Sequence, residues 1–240
     1  MKIIRFEIKE KRATLYKSAD SNMPLLVLNN FSDDGKSIVD ELKLLGHTDF
    51  NLLNIENLNW NHDMTPWFSP PLFSSDPPCT GGADEYLQLL LSEILPRAEE
   101  EINGISPYTG IAGYSLAGLF ALYAMYRCDK FARAASISGS LWFPDFTEYC
   151  FTHVPPRTPD RLYLSLGDRE AITKNKILKT VRENTDALAE HFRSIGMDVT
   201  WELNPGNHFK DAAARCAKGI GALLTSPSDL SSRTPHHNPR

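Results

Sequence analysis

The sequence predicts an α/β fold: a mostly parallel central sheet with an antiparallel N-terminal hairpin and helices on both faces. Two short segments at the start alternate apolar and polar residues, as strands of a hairpin do. From Pro24 onward, apolar runs of strand length alternate with segments of helical period, which indicates a parallel sheet covered on both sides. The chain has 240 residues. We therefore expect one domain over 1–225 and a flexible tail over 226–240.

The first half supplies the hairpin and the start of the parallel sheet. Segment 24–28 is an unbroken apolar run, typical of a strand buried on both faces. Segment 37–45 has a helical apolar face and ends before Gly46, a residue that favours helix termination. The predicted elements are strands 3–8, 13–16, 24–28 and 50–55, and helices 37–45 and 84–102.

The second half repeats strands and helices around two irregular stretches. The predicted elements are strands 110–113, 134–137, 162–166 and 199–203, and helices 116–126, 175–195 and 211–224. Segment 57–82 contains five prolines and several aromatic residues, and 141–159 is a second loop of similar composition. Because long loops inside a compact domain are usually functional or disordered, and these are rich in aromatic residues, we expect them to be functional.

Composition excludes several function classes. The net charge of −5 argues against a nucleic-acid partner, which requires a basic surface. No apolar run reaches the length of about 18 residues that a membrane-spanning helix needs, and the early alternation at the N-terminus does not fit a secretory leader. The four cysteines show no metal-binding spacing and no nucleotide fingerprint is present. We expect a cytoplasmic protein with no metal and no cofactor.

Segment 113–118, with the sequence GYSLAG, predicts a nucleophilic serine. It lies between an apolar strand and an apolar helix, and small residues stand two positions before and after Ser115. Gly113 and Ala117 permit the sharp strand-to-helix turn on which such a serine is exposed. The turn also places the Leu116 N–H where it can donate to a developing oxyanion. The alternative is a serine that only caps the helix.

A general base and an acid are expected later in the chain, in the order nucleophile, acid, histidine. Of the seven histidines, His208 alone lies on the loop after the last strand. The acid should follow strand 162–166, where Glu170 and Asp168 both lie in the turn GDRE. Glu170 is favoured because the acid of this fold commonly sits three residues after such a glycine. The other carboxylate would then be an exposed turn residue.

A second oxyanion donor is expected on the loop after strand 24–28. The backbone N–H groups of Asn30 and Phe31 are the candidates, because this loop emerges beside the nucleophile turn. Asn30 could equally serve only to cap the turn.

These motifs resemble those of the predicted α/β-hydrolase superfamily esterases related to the siderophore-esterase group. The resemblance rests on GYSLAG, GDRE, NPGNHF, NWNHDMTPW and GGADEYL, and it extends over about 25–224. It implies an α/β-hydrolase fold and hydrolysis of a carboxylic ester through an acyl-enzyme, with Ser115, His208 and an acid in the GDRE turn. Relatives often carry an arginine-rich loop where this chain has Asn61 and His62, which argues against a polyanionic, catechol-like substrate.

The aromatic residues of the two long loops predict an apolar substrate pocket. We expect Trp60, Trp67 and Trp142 to wall it and His62 or Asp63 to orient the substrate. The alternative is that these aromatic side chains only attach the loops to the domain.

Two other functions remain open from the sequence. A thioesterase would use the same triad on a different leaving group, and a non-catalytic binding protein could keep the fold without activity. The expected partner is a small-molecule ester. A homodimer is the commonest default for the oligomeric state.

Overall fold

The structure is a computed structural model that describes residues 1–31 and 33–225. The predicted tail, 226–240, lies outside the described residues. Eight strands form one sheet in the order β1-β2-β4-β3-β7-β8-β9-β10, and β5 and β6 form a separate pair. The strands are β1 (Lys2–Ile8), β2 (Lys11–Lys17), β3 (Leu25–Asn29), β4 (Asn51–Glu56), β5 (Phe68–Ser69), β6 (Cys79–Thr80), β7 (Thr109–Tyr114), β8 (Phe131–Ile137), β9 (Arg161–Gly167) and β10 (Val199–Asn204).

The direction of the strands confirms the predicted sheet. β1 pairs antiparallel with β2, and β2 pairs antiparallel with β4. From β4 to β10 every neighbouring pair is parallel. The carboxyl ends of β3, β7, β9 and β10 therefore meet at one edge of the sheet, where ligands of open α/β sheets bind.

Helices cover both faces of the sheet, as predicted. They are α1 (Lys36–Leu44), α2 (Trp60–Asp63), α3 (Ala83–Leu89), α4 (Leu95–Ile102), α5 (Leu116–Arg127), α6 (Phe146–Thr152), α7 (Val181–Ser194) and α8 (Ala212–Leu224). Residues of α1 and α8 pack on one face, whereas residues of α3 to α7 pack on the other. The longest described helix, α7, has 14 residues, and among the described helices we find none with the length and apolarity needed to cross a bilayer.

Strand β3 shows how the sequence builds this two-sided core. All five of its residues are buried, as the unbroken apolar run predicts. Leu25 and Val27 pack in the cluster that contains α5, and Leu26 and Leu28 pack with α1 and α8. Alternate side chains point to opposite faces, so an apolar residue is needed at each position.

The predicted helix over 84–102 is interrupted by a π-helical turn, Leu90–Ile94, between α3 and α4. The interruption ends just before Pro96, which lies in the first turn of α4. Proline has no N–H to donate to the carbonyl four residues earlier, and its ring crowds that carbonyl. A π turn shifts the hydrogen-bond register and so accommodates Pro96 within a nearly continuous helix.

The two segments predicted to be irregular contain some regular structure. Segment 57–82 includes α2, β5 and β6, and 141–159 includes α6, whose Phe146 and Cys150 are buried. In the other direction, the helix predicted over 175–195 begins only at Val181, after a 3₁₀ turn. The Asn175 side chain accepts hydrogen bonds from the Ile177 and Leu178 N–H groups, and this local turn replaces the expected first helical turn.

Candidate active site

The sharp turn predicted at Ser115 joins β7 to α5. Ser115 has φ 60° and ψ −123°, a left-handed conformation that costs free energy for a non-glycine residue. A Cβ atom on Gly113 would lie 2.2 Å from the Ala117 carbonyl oxygen, so only glycine fits there. The Ser115 N–H donates to the Ile137 carbonyl at 3.1 Å, which fixes the turn to β8.

Ser115, His208 and Glu170 form a continuous hydrogen-bonded line at the carboxyl edge of the sheet. His208 Nε2 lies 3.1 Å from Ser115 Oγ, and His208 Nδ1 lies 2.7 Å from Glu170 Oε2. The Tyr114 hydroxyl donates to the His208 carbonyl at 2.5 Å and holds the histidine loop against β7. This is the arrangement of a nucleophile, a base and an orienting carboxylate.

The Glu170 carboxylate is buried and fully engaged. Its side chain is 5% exposed, and its Oε1 accepts the Gly167 N–H at 2.5 Å. Burial by itself would raise the pKa of Glu170, but the hydrogen bonds from His208 and from the Gly167 N–H outweigh it and hold that pKa below its ordinary value. Glu170 is therefore ionised beside His208.

Asp168, the other predicted candidate for the acid, has a different partner. Its Oδ1 accepts the Gly206 N–H at 2.7 Å, and the residue is exposed. The Arg169 N–H donates to the Gly206 carbonyl at 3.1 Å. Asp168 thus joins the acid turn to the histidine loop, and of the two carboxylates Glu170 is the one that contacts His208.

Arg215 contacts Glu170 and is a site residue that the sequence motifs do not predict. Its side chain is 3% exposed, and its Nη1 lies 3.3 Å from Glu170 Oε1. The same guanidinium donates to Ser138 Oγ at 3.2 Å, to the Tyr114 hydroxyl at 3.3 Å and to the Pro205 carbonyl at 3.0 Å. The signal was present in the sequence: an arginine in the apolar stripe of α8 needs a buried partner.

Ser140 also lies beside Ser115, and the sequence does not predict it. Its hydroxyl is 3.3 Å from Ser115 Oγ, and its N–H donates to the Ser115 carbonyl at 3.0 Å. The residue is 2% exposed. Because either hydroxyl can donate to the other, Ser140 helps to fix where Ser115 Oγ sits. Nothing in the sequence around 138–142 distinguishes it from an ordinary loop serine.

The three predicted oxyanion donors have different environments. Leu116 occupies the first position of α5, where N–H groups have no partner within the helix. The Asn30 N–H donates to the Ile55 carbonyl at 2.8 Å and extends the sheet, so it would have to leave that carbonyl to bind an oxyanion. The Phe31 N–H donates to Asn30 Oδ1 at 2.9 Å. A charged oxyanion is a stronger acceptor than an amide oxygen, so Phe31 stays a predicted donor.

Three clefts meet at Ser115. The first, which we call the helix-side cleft, is lined by residues of α1 and α8 and has a volume of about 350 Å³. The second, which we call the Trp142 cleft, is lined by Trp142 and Val181 and has a volume of about 310 Å³. A smaller cleft of about 170 Å³ lies between Trp60 and Trp142. Apart from the triad, the principal apolar lining of the helix-side cleft is Leu28, Ile38, Ala212, Ala213 and Cys216, and that of the Trp142 cleft is Leu72, Trp142, Leu178 and Val181.

Trp67 does not act as the predicted pocket wall. Its Nε1 donates to the Pro144 carbonyl at 3.1 Å, and its ring contacts those of Phe143 and Tyr149 at centroid distances of 5.8 and 5.6 Å. It therefore attaches the loop over 57–82 to the segment that contains α6. For this residue the alternative reading, loop attachment, describes the structure.

His62 and Asp63 lie beyond the clefts at Ser115. Asp63 is 5% exposed, accepts the Asn59 N–H at 2.8 Å and pairs with Lys11, so its carboxylate stabilises α2. His62 Nδ1 lies 2.7 Å from the Thr80 hydroxyl. Neither is among the described residues that line the three clefts, and a role for either in orienting the substrate stays a prediction.

The charge around Ser115 is weakly negative. Among the described residues that line the three clefts there is neither lysine nor arginine, whereas Asp33, Asp76 and Glu170 contribute carboxylates. Over 1–31 and 33–225, His, Cys, Asp and Glu side chains form no group of three or more that could bind a metal ion.

Comparison with known proteins gives a family match. The model of the family described as "Putative esterase" matches residues 55–208. The uncharacterized protein YbbA of Bacillus subtilis (strain 168) is 27% identical over 150 residues. That match covers 60% of this chain and 59% of the Bacillus protein, so it spans less than two thirds of the length of that relative.

Solved structures share the fold at low sequence identity. An IroE-like serine hydrolase from Shewanella oneidensis superposes with a TM-score of 0.74 and 18% identity, over 93% of this chain and 79% of that one. The siderophore hydrolase EstA from Aspergillus nidulans gives 0.67 and 19%, over 96% and 94%. The enterobactin esterase FES from Shigella flexneri gives 0.65 and 20%, over 92% and 58%. The fold is that of the α/β-hydrolases.

Proposed function

The chain belongs to the family described as "Putative esterase", and from this premise we propose that it is a serine hydrolase that cleaves a carboxylic ester through an acyl-enzyme. One observation carries the proposal: Ser115 Oγ, the His208 ring and the Glu170 carboxylate are joined by hydrogen bonds of 3.1 and 2.7 Å. A serine that served only as a helix cap would need neither a base nor a buried carboxylate behind that base.

Acylation begins with His208 Nε2 removing the proton of Ser115 Oγ as that oxygen attacks the ester carbonyl. The imidazolium that forms is stabilised by the ionised Glu170, which also holds the ring in the tautomer with the proton on Nδ1. The carbonyl oxygen becomes an oxyanion, and the N–H groups of Leu116 and Phe31 are the proposed donors to it.

Collapse of the tetrahedral intermediate breaks the bond to the leaving alkoxide. His208 Nε2 donates its proton to that oxygen, so the alcohol leaves neutral and the acyl group stays on Ser115. Water then takes the place of the alcohol. His208 deprotonates it, the second intermediate forms and collapses, and the carboxylic acid and free Ser115 are released with the proton returned to Oγ.

Covalent labelling tests the nucleophile directly. A fluorophosphonate probe should label the wild-type protein at Ser115 and leave Ser115→Ala unlabelled, and p-nitrophenyl acetate hydrolysis by that variant should fall at least about 10³-fold. His208→Ala should lose a similar factor. Ser194→Ala, on α7, is the matched control and should keep both labelling and rate.

The outcomes separate this proposal from its alternatives. Labelling that persists in Ser115→Ala would remove Ser115 from the mechanism. A protein that neither labels nor hydrolyses any ester would be a binding protein with this fold. If acyl thioesters are cleaved with higher kcat/KM than oxygen esters of the same acyl group, the enzyme is a thioesterase that uses the same residues.

A further inference from the structure

We propose that the helix-side cleft binds one uncharged, apolar arm of the ester, so that the substrate extends from Ser115 in two directions. The inference rests on the proposed ester hydrolysis. It adds a binding site to that of the Trp142 cleft, with which the helix-side cleft shares His208. It also gives the chemical class of the group that the helix-side cleft accepts.

The helix-side cleft lies on the face of the sheet that α1 and α8 cover. Leu28 is the last apolar residue of β3 and Ile38 begins the buried face of α1, and these residues are 1% and 3% exposed. Opposite them, Ala212 and Ala213 start α8. Two small side chains at this position leave the space that larger residues would fill. The volume of about 350 Å³ falls within the range of about 300–1,000 Å³ typical of small-molecule sites.

Among the described residues that line it, the helix-side cleft has neither lysine nor arginine, and its one carboxylate is that of Asp33. Burial, with a smaller contribution from the charge of Asp33, raises the pKa of the Cys216 thiol to about 12, so that thiol is protonated. Asp33 Oδ1 already accepts the Asn30 amide at 2.9 Å and the Gly35 N–H at 2.8 Å. An anionic group placed here would lose its hydration without gaining a cationic partner, whereas an apolar group gains by leaving water.

The proposed catalytic groups line the helix-side cleft, so a group bound there can belong to the ester that reacts. Ser115, His208 and Phe209 line both the helix-side cleft and the Trp142 cleft. An ester carbonyl bound at Ser115 Oγ can therefore direct its acyl group into one cleft and its alcohol group into the other. Phe209, 86% exposed, stands at the mouth of both.

Filling the cleft tests the proposal. Ala213→Leu should block long arms more than short ones. We would measure kcat/KM for p-nitrophenyl acetate and hexanoate, and for ethyl and hexyl acetate. In one of these pairs the ratio of kcat/KM for the long ester to that for the short ester should fall at least about tenfold. Each methylene that loses its contact lowers kcat/KM about fourfold. Ala214→Leu is the matched control on the same helix; Ala214 does not line the cleft and should keep the wild-type ratios.

Ala212→Leu is a second test of the same cleft, for the case that Ala213→Leu does not fold. Ala212 lines the cleft but is exposed at the start of α8, where a larger side chain is tolerated. Unchanged long-to-short ratios in both pairs, in either folded variant, would overturn the proposal. That result would leave the proposed function intact, because hydrolysis of p-nitrophenyl acetate that depends on Ser115 tests the function separately.

A matched pair of substrates tests the charge of the arm. The hexanoyl ester and the adipoyl monoester of the same alcohol have acyl chains of the same length, but the second ends in a carboxylate. For the alcohol arm the corresponding pair is hexyl acetate and 6-acetoxyhexanoate. In the pair that varies the arm blocked by Ala213→Leu, the anionic ester should have a kcat/KM at least about tenfold lower. Equal or faster cleavage of the anionic ester in that pair would overturn the assignment of an uncharged arm.

Discussion

Arg215 Nη1 and Glu170 Oε1 lie 3.3 Å apart, and both side chains are almost completely buried. The pair lies on the side of Glu170 that faces away from His208, so one carboxylate oxygen binds the histidine and the other binds the arginine and the Gly167 N–H. The orientation of the base is thus tied to the start of α8. A buried charge whose partner is removed is strongly destabilising, and this makes the pair open to experiment.

Glu170→Gln should lower kcat at least about 10²-fold, because a neutral amide cannot stabilise the imidazolium that forms on His208. Asp168→Asn should cost far less, since that carboxylate accepts only the Gly206 N–H. Both rates are measured with one ester at saturating concentration. The opposite ranking would move the acid to Asp168.

Arg215→Met should destabilise the protein by about 3 kcal/mol in urea unfolding, because it leaves the Glu170 carboxylate buried with one partner fewer. Arg127→Met is the comparison. That arginine pairs with Asp84 at the surface, with the two side chains 45% and 54% exposed, and its loss should cost about 1 kcal/mol or less. Similar losses of unfolding free energy in the two variants would show that the buried pair contributes no more to stability than the exposed pair does.

The lowered pKa of Glu170 predicts how its contribution to stability depends on pH. The Glu170 carboxylate binds a proton less tightly in the folded state than in the unfolded chain, where its pKa has the ordinary value of 4.5. The stabilisation is therefore complete above pH 4.5 and is lost as the pH falls through the lower folded value. The difference in melting temperature between the wild type and Glu170→Gln should be largest near neutral pH and should shrink below pH 4.5. A difference that is constant or grows towards acid would contradict this.

Trp67 and Trp142 should respond differently to replacement by alanine. Trp67→Ala removes a packed ring and should cost about 3–5 kcal/mol of stability. It should change kcat/KM for all esters by one common factor. Trp142→Ala, in the wall of a cleft at Ser115, should change the ratio of kcat/KM between long and short esters. Thermal melts and the ester series distinguish the two residues. A change of selectivity in Trp67→Ala would restore it as a pocket wall.

The strands of the sheet could be predicted, and Ser115, Glu170 and His208 could be proposed as a triad, because each is marked by a pattern that is local in sequence. Apolar runs such as that of β3 mark buried strands, and the turn around Ser115 needs small residues at fixed positions. The order of nucleophile, acid and histidine then leads to His208 and to the turn that holds Glu170. The choice between Glu170 and Asp168 was favoured by spacing, and the structure shows which of the two contacts the histidine.

The features that were missed depend on contacts between distant segments. Arg215 and Ser140 gain their significance from residues 45 and 25 positions away. The sequence also does not show which carbonyl the Asn30 N–H binds; in the structure it is that of Ile55 on β4. Trp67 was placed in the pocket because an aromatic residue without periodicity indicates equally well a cleft wall or a loop attachment.

The backbone conformation of Ser115 lowers the stability of the protein at the same residue on which the proposed activity depends. A left-handed conformation at a non-glycine residue stores about 1–3 kcal/mol that the folded chain does not recover through packing. Ser115→Gly would release much of this strain, since glycine adopts positive φ readily. We expect that variant to melt at a higher temperature than the wild type and to hydrolyse nothing. The most direct route to a more stable form of this protein is then also the route to an inactive one.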